Sequence, residues 1–186
     1  MQAQGASPAS TTKALFLDRD GVLIDYVPYL SQPEQVVIPE GAAQALCQWQ
    51  AAGYLLIVIT NQSGVGRGLF SLADMESVHQ RMEAEYAQEG VSFTEIMVCP
   101  HHPDEGCTCR KPSPEMVIQI AQQYEIDLSR SLFIGDNLSD LKCAQNAGCQ
   151  PVLVLTGLGK KTLQTLPVDF STIPICTHLL DTVRLA

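Results

Sequence analysis

Apolar residues in this chain come in short, nearly unbroken runs that stop abruptly at polar ones. Between them lie longer stretches whose apolar positions recur every three or four residues. The short runs cover 14–17, 54–59, 93–98, 131–134 and 151–155, interrupted only by Thr94 and Glu95 in the third and Ser131 at the start of the fourth. Runs of this length, bounded by turn residues, read as strands buried on both faces, as in parallel sheets. The periodic stretches predict helices over 40–52, 71–89, 113–124 and 138–147. Pro39 opens the first and Gly53 closes it. Ser71 caps the second, Pro114 stands in the first turn of the third, and Gly148 ends the fourth. Their inward positions are Ala42, Ala45, Leu46 and Trp49, then Met75, Val78, Met82 and Tyr86, then Met116, Val117, Ile120 and Ala121. His79 reads as a surface or half-buried position. A short strand at 36–38, an edge strand at 173–176 and a terminal helix complete the expected elements. Strand and helix alternate, so the fold class is α/β: a doubly wound, Rossmann-like, mainly parallel sheet with helices on both faces. Residues 1–12, rich in Gln, Ala, Ser and Thr, read as a disordered tail, and 13–186 as one domain without a separate cap.

Composition narrows the function. With 186 residues, 46% hydrophobic and 17% charged, the chain is a single globular domain with a real core. A formal net charge of −9 excludes a broad nucleic-acid face, which needs a basic surface. A small anion held by a few local cations fits. No apolar run is long enough to cross a bilayer, and the start lacks the pattern of a secretory signal. The expected setting is the cytoplasm, as a monomer with no membrane or nucleic-acid partner. Seven cysteines in such a setting point to metal ligation and core packing rather than disulfides.

Chemistry gathers where the apolar runs end. The first stops at Asp18-Arg19-Asp20-Gly21. Alternation along an extended chain turns Asp18 and Asp20 one way and Arg19 the other. Two carboxylates at the end of a buried strand suit a hard cation and acid–base work. Tyr26 to Tyr29 leave the same strand end and overhang it. The second run ends in Thr60-Asn61-Gln62-Ser63-Gly64-Val65-Gly66-Arg67-Gly68, a loop whose backbone N–H groups can face an anion, with Arg67 as a distal cation. The fourth ends in Gly135-Asp136-Asn137, and a glycine-bearing loop at 156–161 follows the fifth. After the third run, Cys99, His101, Cys107 and Cys109 form a Cys₃His set suited to tetrahedral Zn²⁺. His102 competes for the nitrogen position, but the 99/101 spacing mirrors 107/109 and selects His101. With no open position, this zinc is structural and holds Arg110 and Lys111 in place.

The Asp-x-Asp-Gly, strand-end Thr-Asn, Lys-Pro before a helix and Gly-Asp-x-x-x-Asp motifs, in that order across 13–160, resemble the haloacid dehalogenase (HAD) superfamily of phosphotransferases. The Thr60–Gly68 segment and the Cys-x-His…Cys-x-Cys-Arg-Lys-Pro loop are similar to the D-glycero-D-manno-heptose-1,7-bisphosphate 7-phosphatases within it. Histidinol-phosphate phosphatases are close relatives, but typically carry Asp where Ser63 stands and lack a counterpart of Arg67. Two positions depart from the heptose pattern: the 23–38 segment, and Asn137 in place of a substrate-contacting lysine. The resemblance implies a capless, Mg²⁺-dependent, zinc-bearing phosphatase acting on a small phosphorylated sugar in the synthesis of bacterial surface glycans. It implies Asp18 as nucleophile, Asp20 as acid–base, Thr60 and Asn61 on phosphoryl oxygens and Lys111 neutralising them. Asp18, Asp136 and the backbone carbonyl of Asp20 would bind Mg²⁺. Tyr29, Gln62, Ser63, Arg67, Arg110 and Asn137 would contact substrate, and Asp140 would orient Lys111 or cap its helix. A non-enzymatic phospho-receiver domain shares the sheet, the Asp, the Thr and the Lys. Its acceptor, however, lies on a middle strand, and it has no zinc loop.

Overall fold

Six strands form one all-parallel sheet: β1 (Lys13–Leu17), β2 (Tyr54–Asn61), β3 (Glu95–Cys99), β4 (Leu132–Gly135), β5 (Gln150–Val154) and β6 (Ile175–Cys176). Their order is β3-β2-β1-β4-β5-β6. Chain order reverses beside β1, so β1 and β4 flank the switch point, whose carboxyl edge opens into the binding crevice of such sheets. The computed structural model describes residues 12–186. The tail expected over 1–12 lies outside them except for Thr12, which bridges to Ile126.

The helices are α1 (Ala42–Ala51), α2 (Ser63–Gly66), α3 (Leu72–Gln88), α4 (Glu115–Gln123), α5 (Leu138–Ala147) and α6 (Gly159–Gln164). Alternation along β1 feeds two cores. Leu15 and Leu17 pack with Leu46 and Trp49 of α1 and Val78, Met82 and Tyr86 of α3. Ala14 and Phe16 pack with Val117 and Ile120 of α4 and Cys143 and Ala144 of α5. Strands buried on both faces explain the nearly unbroken apolar runs. Side-chain hydrogen bonds tie distant segments to these cores. Trp49 Nε1 donates to Thr182 Oγ1 (3.1 Å), and the Tyr86 hydroxyl donates to the Leu23 carbonyl (2.7 Å). Ser71 caps α3 in a reciprocal box with Asp74.

Four expected elements differ. Residues 36–38 are not a strand. A 3-10 turn at Pro33–Gln35 precedes them, and a backbone bond from Asp25 to the Val37 carbonyl does not build a ladder. The terminal helix is a 3-10 helix, Leu179–Leu185, which turns Leu179 and Thr182 inward together because positions i and i+3 eclipse at three residues per turn. The glycine-bearing segments after β2 and β5 wind into α2 and α6 rather than staying open loops.

Candidate active site

Four buried or half-buried charges meet at the carboxyl ends of β1 and β4. Lys111, delivered by the loop before α4, is 3% exposed. Its Nζ donates to Asp18 Oδ1 (2.8 Å) and to the Ile59 carbonyl (2.7 Å), and pairs with Asp140 Oδ1 at 2.8 Å. Ligand oxygens of Asp18, Asp136 and Asp140 all lie within 4.8 Å of one another. Burial pushes Asp18 up to about 7 and Asp136 up to about 8, and in each case neighbouring carboxylates add to the rise. Burial alone would lower Lys111, but the charges of Asp140 and Asp18 outweigh it and hold the ammonium above its ordinary value. When all three carboxylates are ionised they face one ammonium, which leaves two negative charges unbalanced. A divalent cation balances that deficit, and an all-oxygen donor set suits a hard ion such as Mg²⁺.

Close packing fixes Asp136. Its Oδ2 accepts the Leu158 N–H (2.7 Å). A Cβ on Gly21 would stand 2.2 Å from that oxygen, and one on Gly157 2.1 Å from it. Both glycines also take positive φ, +83° and +50°. Asp140 does both things foreseen for it. It pairs with Lys111, and its Oδ2 accepts the Asn137 N–H (3.0 Å) at the start of α5.

Asp20 lies apart from this cluster. The strand ends at Leu17, so period-two alternation does not carry through 18–20. Arg19 does not point away from Asp20. Its guanidinium is 1% exposed and donates through Nη2 to Asp20 Oδ1 and to Gln62 Oε1, each at 2.9 Å. Gln62 Nε2 donates to Asp20 Oδ2 (2.7 Å) and Thr60 Oγ1 (2.8 Å). His79 is buried rather than exposed, with Nε2 3.0 Å from Arg19 Nη1. Burial, reinforced by Arg19, drops its pKa to about 4, so Nε2 is a neutral acceptor. The signal for this was present in the sequence. His79 falls on the same helical stripe as Met75, Val78, Met82 and Tyr86.

These groups open into a cleft of about 300 Å³. Asp18, Asp20, Lys111 and Asp136 line it, as do Tyr29, Asn61, Gln62, Ser63, Arg110 and Asn137. Arg110 Nη1 is buried with no hydrogen-bond partner in the protein. Tyr29 is exposed and holds positive φ, +54°, at the rim. The Asn61 side chain is committed to the Lys111 backbone, accepting its N–H (3.1 Å) and donating to its carbonyl (3.2 Å). Asn137 accepts from Ser139 N–H as the cap of α5 (3.1 Å). Thr60 is fully buried behind Gln62, and exposed Arg67, which ends α2, does not line the cleft.

Beside the cleft, Cys99, His101, Cys107 and Cys109 close on one point, their ligand atoms within 4.8 Å of one another. The Cys99 Sγ to Cys107 Sγ distance is 3.6 Å, and His101 Nδ1 lies 3.2 Å from Cys109 Sγ. Those separations fit a tetrahedron with Zn–S of about 2.3 Å and Zn–N of about 2.0 Å. His102 stays out of the set, its Nδ1 accepting the Asp104 N–H (3.2 Å).

A family model described as HAD-hydrolase-like matches residues 108–182. The D-glycero-beta-D-manno-heptose-1,7-bisphosphate 7-phosphatase of Pseudomonas putida is 46% identical over 153 residues, 82% of this chain and 87% of that protein. The enzyme of the same name from Bordetella bronchiseptica is 43% identical over 152 residues, 81% and 85% of the two chains. A crystal structure of D,D-heptose 1,7-bisphosphate phosphatase from B. bronchiseptica, complexed with magnesium and phosphate, matches with a TM-score of 0.87 at 38% identity. It covers 94% of this chain and 97% of that one. The fold is that of a HAD-like hydrolase. Within that class, the chain belongs to the family of the D-glycero-beta-D-manno-heptose-1,7-bisphosphate 7-phosphatases.

Proposed function

We propose that the chain removes the 7-phosphate of D-glycero-D-manno-heptose 1,7-bisphosphate through an aspartyl-phosphate on Asp18. The observation that carries this reading is the grouping of Lys111 with Asp18, Asp136 and Asp140 at one strand edge. Similarity to the heptose phosphatases supplies the substrate. Arg110, with an unpartnered buried nitrogen at the cleft, supplies a second cation for a second anionic group.

Asp18 attacks phosphorus, and the bond to the sugar oxygen breaks. Asp20 gives that oxygen its proton, then takes one from the water that hydrolyses the acyl phosphate. Lys111 offsets charge on the phosphoryl oxygens from a fixed position, so no reorganisation is needed during transfer. Asn61 holds the Lys111 backbone in register. Tyr29, Ser63 and Asn137 form the wall against the sugar. Asp18 and Asp136, with the Asp20 carbonyl, would hold Mg²⁺, which supplies charge neutralisation for the transferring group. Zn²⁺ on the four-residue loop would fix the approach of Arg110 and Lys111. Seven cysteines, none of them in a disulfide, fit a reducing, cytoplasmic setting. Among the described residues no helix is long and apolar enough to cross a membrane.

A substrate panel tests the reading. Heptose 1,7-bisphosphate should exceed histidinol phosphate in kcat/KM by at least about tenfold. Asp18→Asn should lose turnover while keeping its circular dichroism. A preference for histidinol phosphate overturns the sugar, and an active Asp18→Asn overturns the nucleophile.

A further inference from the structure

We infer that His79, outside the cleft on α3, is a positioning residue for proton delivery, acting through Arg19 on Asp20. The inference rests on the phosphatase reading above. Asp20 must present one oxygen to the leaving group with small tolerance, yet it sits beyond the end of β1, where an isolated bridge to Ile24 holds its backbone but not its carboxylate. Its carboxylate is gripped instead from two sides, by Arg19 Nη2 at Oδ1 (2.9 Å) and Gln62 Nε2 at Oδ2 (2.7 Å). The grip is only as firm as its own supports. Gln62 is held by Thr60 Oγ1 and by Arg19. Arg19 is held by Gln62 and by His79 Nε2. His79 is therefore the one link in this chain that comes from a helix rather than a strand end, and its ring is itself locked by burial in α3.

Arginine is an expensive residue to bury. Here Arg19 is 1% exposed, and its Nε finds no acceptor at all. A purely structural cation would have its donors satisfied. This one leaves a donor unmet while both its terminal nitrogens are aimed, one at the Asp20 side and one at His79. The geometry favours orientation over stability. In the first half-reaction the bond from phosphorus to the sugar oxygen breaks as the bond from Asp18 to phosphorus forms, and the Asp20 proton passes to the departing oxygen. The carboxylate left behind stays paired with Arg19 and is ready to take a proton from water in the second.

Leaving-group dependence separates positioning from general damage. A sugar or alkyl phosphate needs a proton on its leaving oxygen, whereas p-nitrophenyl phosphate releases a stable phenolate without one. His79→Leu removes the acceptor for Arg19 Nη1. It should lower kcat/KM on the alkyl ester by at least about tenfold, part of the roughly 10²–10⁴ that general-acid catalysis supplies. The kcat/KM for p-nitrophenyl phosphate, which covers steps only as far as departure of the leaving group, should change by less than about twofold. His79→Gln restores an acceptor and should recover most of the alkyl-ester rate. Should His79→Leu not fold, Arg19→Lys, which keeps the charge and loses the fork, should give the same split between the two esters. Parallel losses on both esters, or no loss on either, would overturn this inference and leave the phosphatase reading intact. A wild-type chain that turns over neither ester would overturn that reading, and this inference with it.

Discussion

Asp18 and Asp136 are acids placed where an acid prefers to keep its proton. Both folded values, about 7 and about 8, stand above the roughly 3.9 of an unfolded aspartate. The metal-free native protein therefore holds protons that the unfolded chain has released. Their contribution to stability is complete below about pH 4 and is lost as pH rises through 7 and 8. Mg²⁺ competes with the same protons. Its affinity should rise between pH 6 and pH 8, and binding at pH 7 should release protons. Calorimetric titrations in buffers of different ionisation enthalpy check this. A binding heat independent of buffer would contradict it. Lys111 stays charged throughout, since the neighbouring Asp140 and Asp18 raise it further above its already high ordinary value.

At the level of elements, the strand ends and most helices were legible in the sequence. Runs of apolar residues that stop at Asp18 and Asp136 mark strands buried on both faces, and α5 begins and ends where its cap signals put it. The zinc set was legible for a similar reason, since its ligands lie close in sequence. What was hidden was built from distant partners. Arg19 reaches Gln62 across 43 positions and His79 across 60, and no local pattern encodes either contact. The short helix α2 was also hidden, because its two glycines argue for an open loop. Packing explains both, since a Cβ on Gly64 would stand 2.0 Å from the Phe70 ring. A Cβ on Gly66 would stand 2.2 Å from the His102 nitrogen and 2.9 Å from the Pro100 carbonyl, so α2 lies directly on the zinc loop. Those are backbone atoms and do not yield. Gly66→Ala should cost about 1–3 kcal/mol as an overpacked contact. It should also weaken zinc retention. Thermal melts and metal content after dialysis would show both, and an unchanged melt with full zinc would count against the contact.

Across the whole molecule, the charge is −9, yet the cleft concentrates Arg110 and Lys111 beside the acids. The layout separates a rigid centre from an adaptable rim. β1 is fully buried from Ala14 to Leu17 and hydrogen-bonded to strands on both sides. Its amides should exchange with solvent only through global unfolding, while those of Tyr26 and Tyr29, exposed at the cleft mouth, should exchange far faster. Exchange mass spectrometry or NMR would show this ordering, and comparable rates would refute it. The crowding around Asp136 carries a different consequence, for how this chain tolerates change. Gly53 and Gly90 share the backbone twist of Gly21 and Gly157, but a methyl there would meet open space. In a saturation library, asparagine should survive at 53 and 90, since it visits left-handed conformations at modest cost. Positions 21 and 157 should return glycine alone, making them the cheapest fingerprint by which selection would reveal this site without any assay of substrate.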